Sequence, residues 1–525
     1  MQRIIQLISI GACCAMPSLV LAEVKPAPLF SDEMVLQRNA PVPVWGVADK
    51  AEAVTVTFCG QKVSATADDQ GKWTVTLAKL QPGGPFPMTV AGNNTITFAK
   101  VFVGDVWLCG GQSNMDMKVE DCDRLDDAKA TTTLNLHLSG GQAWSLSDKS
   151  VNTGFSGTGY WFGRYLAEQM QDLHIGLIKC AVGGSKVEEW SPGGVFYKAQ
   201  LQPLMPYALK GVVWYQGESN AGEAYRYSQA METMMAAWRK DFRNPVLPFI
   251  YMQLPRFNGP PKDDAIVHTG LGWPLLQEAQ VFNLTTPNTA MAVYFDCTDG
   301  ELHPKNKPDG GKRLALAALA KVYGRKPAED YLCPVLRQST LKDGTLTLEF
   351  DNAAKGLMVK ESPAIRQFII ICEDGTQKLA KARVNGNKVI VDLTGEKGLP
   401  EVYYSFSDHP LGNLFNTSGL PVSPFRLAKR KHVVDECSGS TLTFHQDIPF
   451  GANALKPGSY RIAGYTITKA EYYPNSAVVR LTVDKPWTIG EKHTLQLPGL
   501  KQWDGKTEVA PIEFSATPVP LVPAP

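Results

Sequence analysis

Four short segments combine flexible residues with side chains able to do nucleophilic or acid–base work. They are Gly110–Met115 (GGQSNM), Ala181–Trp190 (AVGGSKVEEW), Trp214–Asn220 (WYQGESN) and Asp296–Lys307 (DCTDGELHPKNK). A serine that cleaves an ester needs an activated hydroxyl, N–H donors for the developing oxyanion, and a base held in orientation. Ser113 offers the hydroxyl and His303 the base. The backbone N–H groups of Ser113 and Gly184 and the side-chain amide of Asn220 offer the donors. Taken singly, each has an ordinary explanation: Ser113 or Asn220 caps a helix, Gly183-Gly184 is a turn, His303 is a surface histidine, Glu218 is a structural carboxylate. Their order along the chain outweighs those separate explanations.

That order matters because of the elements that carry it. Val101–Cys109 is an apolar run ending on Gly110-Gly111, the pattern of a buried strand followed by a sharp turn. Ile175–Cys180, Gly211–Tyr215, Phe249–Leu254 and Ala290–Phe295 read as further strands. Between them lie helical patterns near Tyr160–Gln171, Ala221–Phe242, Pro274–Phe282 and Pro308–Tyr323. Such alternation predicts an α/β fold, a parallel sheet flanked by helices over residues 101–325. Ligands of such sheets bind at the carboxyl ends of the strands, where all four segments fall.

On either side the pattern is β alone. Residues 23–100 alternate in short strands such as AVTVTFCG and predict an N-terminal β-sandwich; residues 326–428 predict a second β-domain. Residues 429–517 resemble an immunoglobulin-like module, and 518–525 form a proline-rich tail. Residues 1–22 have a basic Arg3, an apolar middle and a small Ala22, as in a signal peptide cut before Glu23; export to the periplasm or cell exterior is the expectation. A lipoprotein site at Cys13 is the alternative. No later segment has the ~20 apolar residues of a membrane span. The net charge of +1, balanced once Arg3 is removed, gives no electrostatic grip on nucleic acid. Eight scattered cysteines follow the leader, without zinc spacing, and no EF-hand loop is present, so no metal or other cofactor is expected. Cys109, Cys180 and Cys372 lie in apolar strands and read as small buried hydrophobes.

Serine, glycine, asparagine and histidine, each in its own strand-end block, resemble the SGNH (GDSL-like) hydrolase superfamily. Within it, GQSNM, VGGSKVEEW, WYQGESN and HPKNK with the trailing KRLALAALA are similar to the bacterial sialate O-acetylesterases, over Phe30–Gly46 through Ser423–Arg426. The resemblance implies Ser113 as nucleophile, His303 as general base, and Ser113, Gly184 and Asn220 at the oxyanion hole. The implied reaction is removal of O-acetyl groups from sialic acid by an exported serine esterase, the acetylated sugar being its partner. Many relatives carry Asp two residues before this histidine, where Glu301 stands here, with Asp299 and Asp296 further back. Glu301 or Asp299 is expected to orient the ring; failing both, the site is a dyad. Trp190, Gln216 and Glu218 are candidates for the substrate-pocket rim. An esterase of acetylated xylan or another polysaccharide keeps the chemistry and changes the sugar. A non-catalytic glycan-binding protein need not retain serine, amide and histidine together.

Overall fold

The segment TITFAKVFVGDVWLCGG forms one continuous strand, β1 (Thr95–Gly111). Its first six residues are largely exposed or half-buried, whereas Val101–Gly111 is buried at every position. That change marks the passage from a one-sided antiparallel sheet to a sheet covered on both faces. The first half pairs antiparallel with Gly83–Ala91; the second lies parallel to β4 (His174–Ala181) on one side and β5 (Gly211–Tyr215) on the other. The boundary expected after residue 100 therefore falls inside a strand.

With β2 (Thr133–Ser139), β3 (Trp144–Ser147), β6 (Phe249–Met252) and β7 (Thr289–Ala292), the strand order is β3-β2-β4-β1-β5-β6-β7. β3 runs antiparallel to β2, so the sheet is mixed rather than wholly parallel. β2 and β3 stand outside the strands expected from the sequence, although TLNLHLS and WSLS alternate apolar and polar residues with the two-residue period of a strand. Four helices flank the sheet: α1 (Gly157–Gln169), α2 (Ala224–Asp241), α3 (Trp273–Phe282) and α4 (Lys307–Lys321). Trp107 meets Phe162 of α1 edge-on, while a Cβ at Gly110 would meet Trp238 of α2. Positions three apart on a strand face opposite ways, so helices cover both faces.

The computed structural model describes residues 23–260, 267, 270, 272–428, 432–446, 456–473, 478–498 and 506–516. The expected leader, with Cys13, and the proline-rich tail lie outside the described residues, as does part of the basic connector Arg426–His432. The N-terminal strands share one continuous core with the α/β sheet, from Val24 through Trp73 and Trp107 to Leu319. Asp105, fully buried in β1, accepts from Gln37 Nε2 (2.9 Å), Arg38 Nε (3.0 Å) and Nη2 (2.9 Å), and the Tyr323 hydroxyl (3.0 Å). One carboxylate thus ties the N-terminal strands, the central strand and the segment after α4 together.

Residues 335–427 form two four-stranded sheets and a two-stranded one around a separate core. They dock on the α/β unit through the Arg426–Glu278 ion pair (2.8 Å) and Gln253 Nε2 donating to Ser423 Oγ (2.9 Å). Strands from 432 to 515 build a third core. Among the described residues the cysteines from Cys59 to Cys372 form no disulfide; Cys109 and Cys180 are buried as expected, but Cys372 is half-exposed. No helix among the described residues is long and apolar enough to cross a membrane.

Candidate active site

β1 ends at Gly111 with φ +140°, and a Cβ there would stand 2.0 Å from the Tyr215 carbonyl oxygen of β5. Only glycine lets the chain turn so close to its neighbour. The turn delivers Ser113, the first residue of a short helix, at the point where chain order diverges to either side of β1. Buried Gln112 fixes the turn: its Oε1 accepts from Gln216 Nε2 (3.1 Å) and the backbone N–H of Ser219 (3.3 Å).

His303 Nε2 lies 2.8 Å from Ser113 Oγ, although 190 residues separate them in sequence. Partial burial, and after it the charge of Lys307, lower the His303 pKa below its ordinary value, which favours the neutral ring that can accept a proton. The loop carrying His303 is pinned along its length. Arg313 of α4 pairs with Asp296, and Asn306 Nδ2 donates to the Cys297 carbonyl (3.0 Å). At Gly300 (φ +98°) a Cβ would stand 2.4 Å from the Asn258 carbonyl oxygen and 2.7 Å from the His409 ring, so the second β region braces this loop.

Neither expected carboxylate reaches His303. Asp299 Oδ1 turns back to accept from the Glu301 backbone N–H (3.1 Å), and Glu301 is exposed. Residues two apart share a side only in an extended segment, and the bends at Gly300, Leu302 and His303 remove that condition. Among the described residues no carboxylate is within hydrogen-bonding or ion-pair reach of His303. Glu301→Gln and Asp299→Asn are each expected to change kcat on p-nitrophenyl acetate by no more than a few-fold. A loss near the ~10,000-fold seen when a triad carboxylate is neutralised would put the acid back in place.

The Gly183-Gly184 turn abuts the serine: a Cβ at Gly183 would lie 3.7 Å from Ser113 Cβ. The backbone N–H groups of Ser113 and Gly184 have no acceptor among the described residues. Asn220 is buried; its Oδ1 accepts from Val187 N (3.0 Å) and Gln216 Nε2 (2.8 Å), and its Nδ2 donates to Glu188 Oε2 (3.0 Å). One Nδ2 hydrogen is thereby committed to Glu188. The three rim candidates stand elsewhere. Trp190 is fully buried, donating to Ser185 Oγ (2.9 Å) and meeting Trp214 edge-on, and Gln216 is likewise inaccessible. Glu218 faces inward and accepts from Asn114 Nδ2 (2.5 Å); burial raises its pKa, with the Asn114 hydrogen bond opposing. Trp190 and Gln216 are interior and Glu218 is half-buried, and none of the three lines the cleft that holds Ser113 and His303.

Two residues inside the quoted motifs carry more of the site than their sequence context suggests. Asn114 is fully buried beside Ser113, and Lys307, 1% exposed, donates to Asn114 Oδ1 (2.5 Å). Burial pushes the Lys307 ammonium down to about 8, with Cys122, Glu218 and Asp299 acting in the opposite direction. Above them opens a cleft of about 700 Å³ lined by Ser113, Asp116, Met117, Lys118, Glu120, Asp121, Lys179 and His303. Its lysines are paired, Lys179 with Asp116 (2.5 Å) and Lys118 with Glu120 (3.0 Å). No group of three or more metal-ligating side chains occurs among the described residues.

A mixed α/β sheet with this site at its strand ends, flanked by β units, is the build of a carbohydrate esterase, as comparison with known proteins shows. A carbohydrate acetylesterase from Xanthomonas citri is 32% identical, with a TM-score of 0.72 over 77% of this chain and 100% of that one. A family model described as "Carbohydrate esterase, sialic acid-specific acetylesterase" matches residues 103–319. The human sialate O-acetylesterase is 30% identical over 59% of this chain and 76% of its own length, and the mouse enzyme 27% identical over 76% and 93%. The chain belongs to the sialic acid-specific acetylesterase family of carbohydrate esterases.

Proposed function

We propose that this chain is a serine esterase that removes O-acetyl groups from sialic acid through an acetyl-enzyme intermediate on Ser113. The observation that carries the reading is the 2.8 Å approach of His303 Nε2 to Ser113 Oγ at the end of the central strand. His303 takes the hydroxyl proton as Oγ attacks the acetyl carbon, and the carbonyl oxygen gains negative charge. The N–H groups of Ser113 and Gly184, with the remaining hydrogen of Asn220 Nδ2, receive that charge. Collapse expels the sugar oxygen with the proton from His303. Water, deprotonated by the same ring, then releases acetate. The order of serine, glycine, asparagine and histidine at successive strand ends supports membership of the SGNH superfamily.

The names of the human and mouse relatives favour an O-acetylated sialic acid as substrate. One observation favours a neutral acetylated polysaccharide such as acetylxylan instead: both cleft lysines are already neutralised by carboxylates, which leaves no unpaired lysine in the cleft for a sialate carboxylate. The experiment offers 9-O-acetyl sialic acid and acetylated xylo-oligosaccharide in parallel and measures released acetate. The sialic acid is expected to be preferred. A preference for the xylo-oligosaccharide by about tenfold or more in kcat/KM transfers the assignment to the neutral sugar.

A further inference from the structure

His303 is aimed at Ser113 without a carboxylate on its other ring nitrogen, so another group must hold it there. Asn114 follows the serine directly, and both hydrogens of its side-chain amide are spent on alignment. Its Nδ2 donates to the carbonyl oxygen of Leu302 (2.9 Å), the residue before His303, and to Glu218 Oε1 (2.5 Å). Its Oδ1 accepts from Lys307 Nζ (2.5 Å), and its backbone carbonyl accepts from Thr158 Oγ1 (2.8 Å). A single buried side chain thus sets the distance between the backbone that carries the nucleophile and the backbone that carries the base.

We propose that Asn114, braced by Lys307 and Glu218, is the positioning residue that aims His303 at Ser113 through the Leu302 carbonyl. The inference rests on the serine-esterase reading above. A buried amide with fixed partners cannot swing freely without leaving polar groups unsatisfied, so the spacing it imposes is stiff. An error of about 1 Å in such a spacing can cost on the order of 100-fold in rate.

Lys307 adds a signature that a purely structural role lacks. Its charge faces Glu218, Cys122, Asp299 and the Tyr215 ring, the ring centroid 5.4 Å away. It also opposes protonation of His303, whose other neighbours are the Ser113 hydroxyl and the charged cleft residues Asp116, Lys118, Glu120, Asp121 and Lys179. Removing the Lys307 charge therefore raises the His303 pKa, and the acid limb of kcat/KM moves to higher pH.

The test compares kcat, KM and pH profile on p-nitrophenyl acetate for Asn114→Ala, Lys307→Met, His303→Ala and the double variant Asn114→Ala/His303→Ala. Asn114→Ala is expected to lower kcat on the order of 100-fold with KM nearly unchanged, and to cost nothing further once His303 is gone. Lys307→Met is expected to lower kcat and shift the acid limb upward. An equal loss from Asn114→Ala with and without His303 overturns the proposal, as does an acid limb that stays in place in Lys307→Met. If Asn114→Ala does not fold, Asn114→Ser takes its place in the same comparison with and without His303→Ala. Activity persisting in Ser113→Ala would instead bring down the serine-esterase reading itself.

Discussion

Ser113→Ala is expected to lower kcat for p-nitrophenyl acetate on the order of a millionfold, and His303→Ala by nearly as much. The reason lies in the geometry: the hydroxyl and the ring share one hydrogen bond of 2.8 Å, and neither has a substitute in the cleft. Lys118 and Lys179 are held by carboxylates, and Asp116 and Glu120 are the carboxylates that hold them. Groups that act as a unit lose their effect together, so the double variant should be no slower than either single one. What remains is the contribution of the oxyanion donors and binding. Circular dichroism and thermal melts would establish that each variant is folded. A Ser113→Ala protein near wild-type rate ends the serine-esterase reading, and losses that multiply in the double variant would show that the two residues do not act on the same step.

A second large effect is expected far from the cleft, at Asp105. Removing one partner of a buried charge pair costs about 3–5 kcal/mol, because the other charge is left without its counterion. Asp105→Ala strands Arg38 and deprives Gln37 and Tyr323 of an acceptor at one stroke. The variant should unfold at markedly lower denaturant in the transition reported by the buried Trp107, whose indole N–H donates to the same Tyr323 hydroxyl (3.2 Å). KM should be unchanged below that transition. An unfolding midpoint equal to wild type would mean that Arg38 and Tyr323 find other partners at no cost. Coupling between Asp105→Ala and Tyr323→Phe, measured as a double-mutant cycle, would apportion the network.

The strand ending in Gly110-Gly111 was legible because burial there is continuous, and continuous burial writes itself as an unbroken apolar run. The meeting of Ser113 with His303 was legible because topology, not local pattern, brings strand ends together. Trp190 and Gln216 misled for a physical reason. An aromatic and an amide in glycine-rich segments have the composition of a pocket wall, yet Gln216 is paid for in hydrogen bonds to Gln112, Ser185 and Asn220, which only the folded chain assembles. The orienting carboxylate failed because the bends from Gly300 onward break the extended geometry that would align Glu301 with His303. Asn114 and Lys307 sat in plain view inside GQSNM and HPKNK. Their contacts span 193 residues, so nothing nearby advertised them.

The continuous strand Thr95–Gly111 also dictates an order of events during synthesis. Its antiparallel partner, Gly83–Ala91, is made just before it, so that half can close as soon as both emerge. The last part of the apolar half must wait for His174–Ala181 and then for Gly211–Tyr215, the second about 100 residues later, roughly 5–20 s at ordinary rates of translation. Until then only Val101–Gly104 has partners, from Val35–Gln37 and Gly83–Phe86, and Asp105–Gly111 is an unpaired edge of the kind that templates aggregation. The last partner of the nucleophile, His303, arrives later still. The future centre of the hydrolase is thus an exposed apolar edge of the nascent chain, and what shelters it at the ribosome bears on the yield of enzyme.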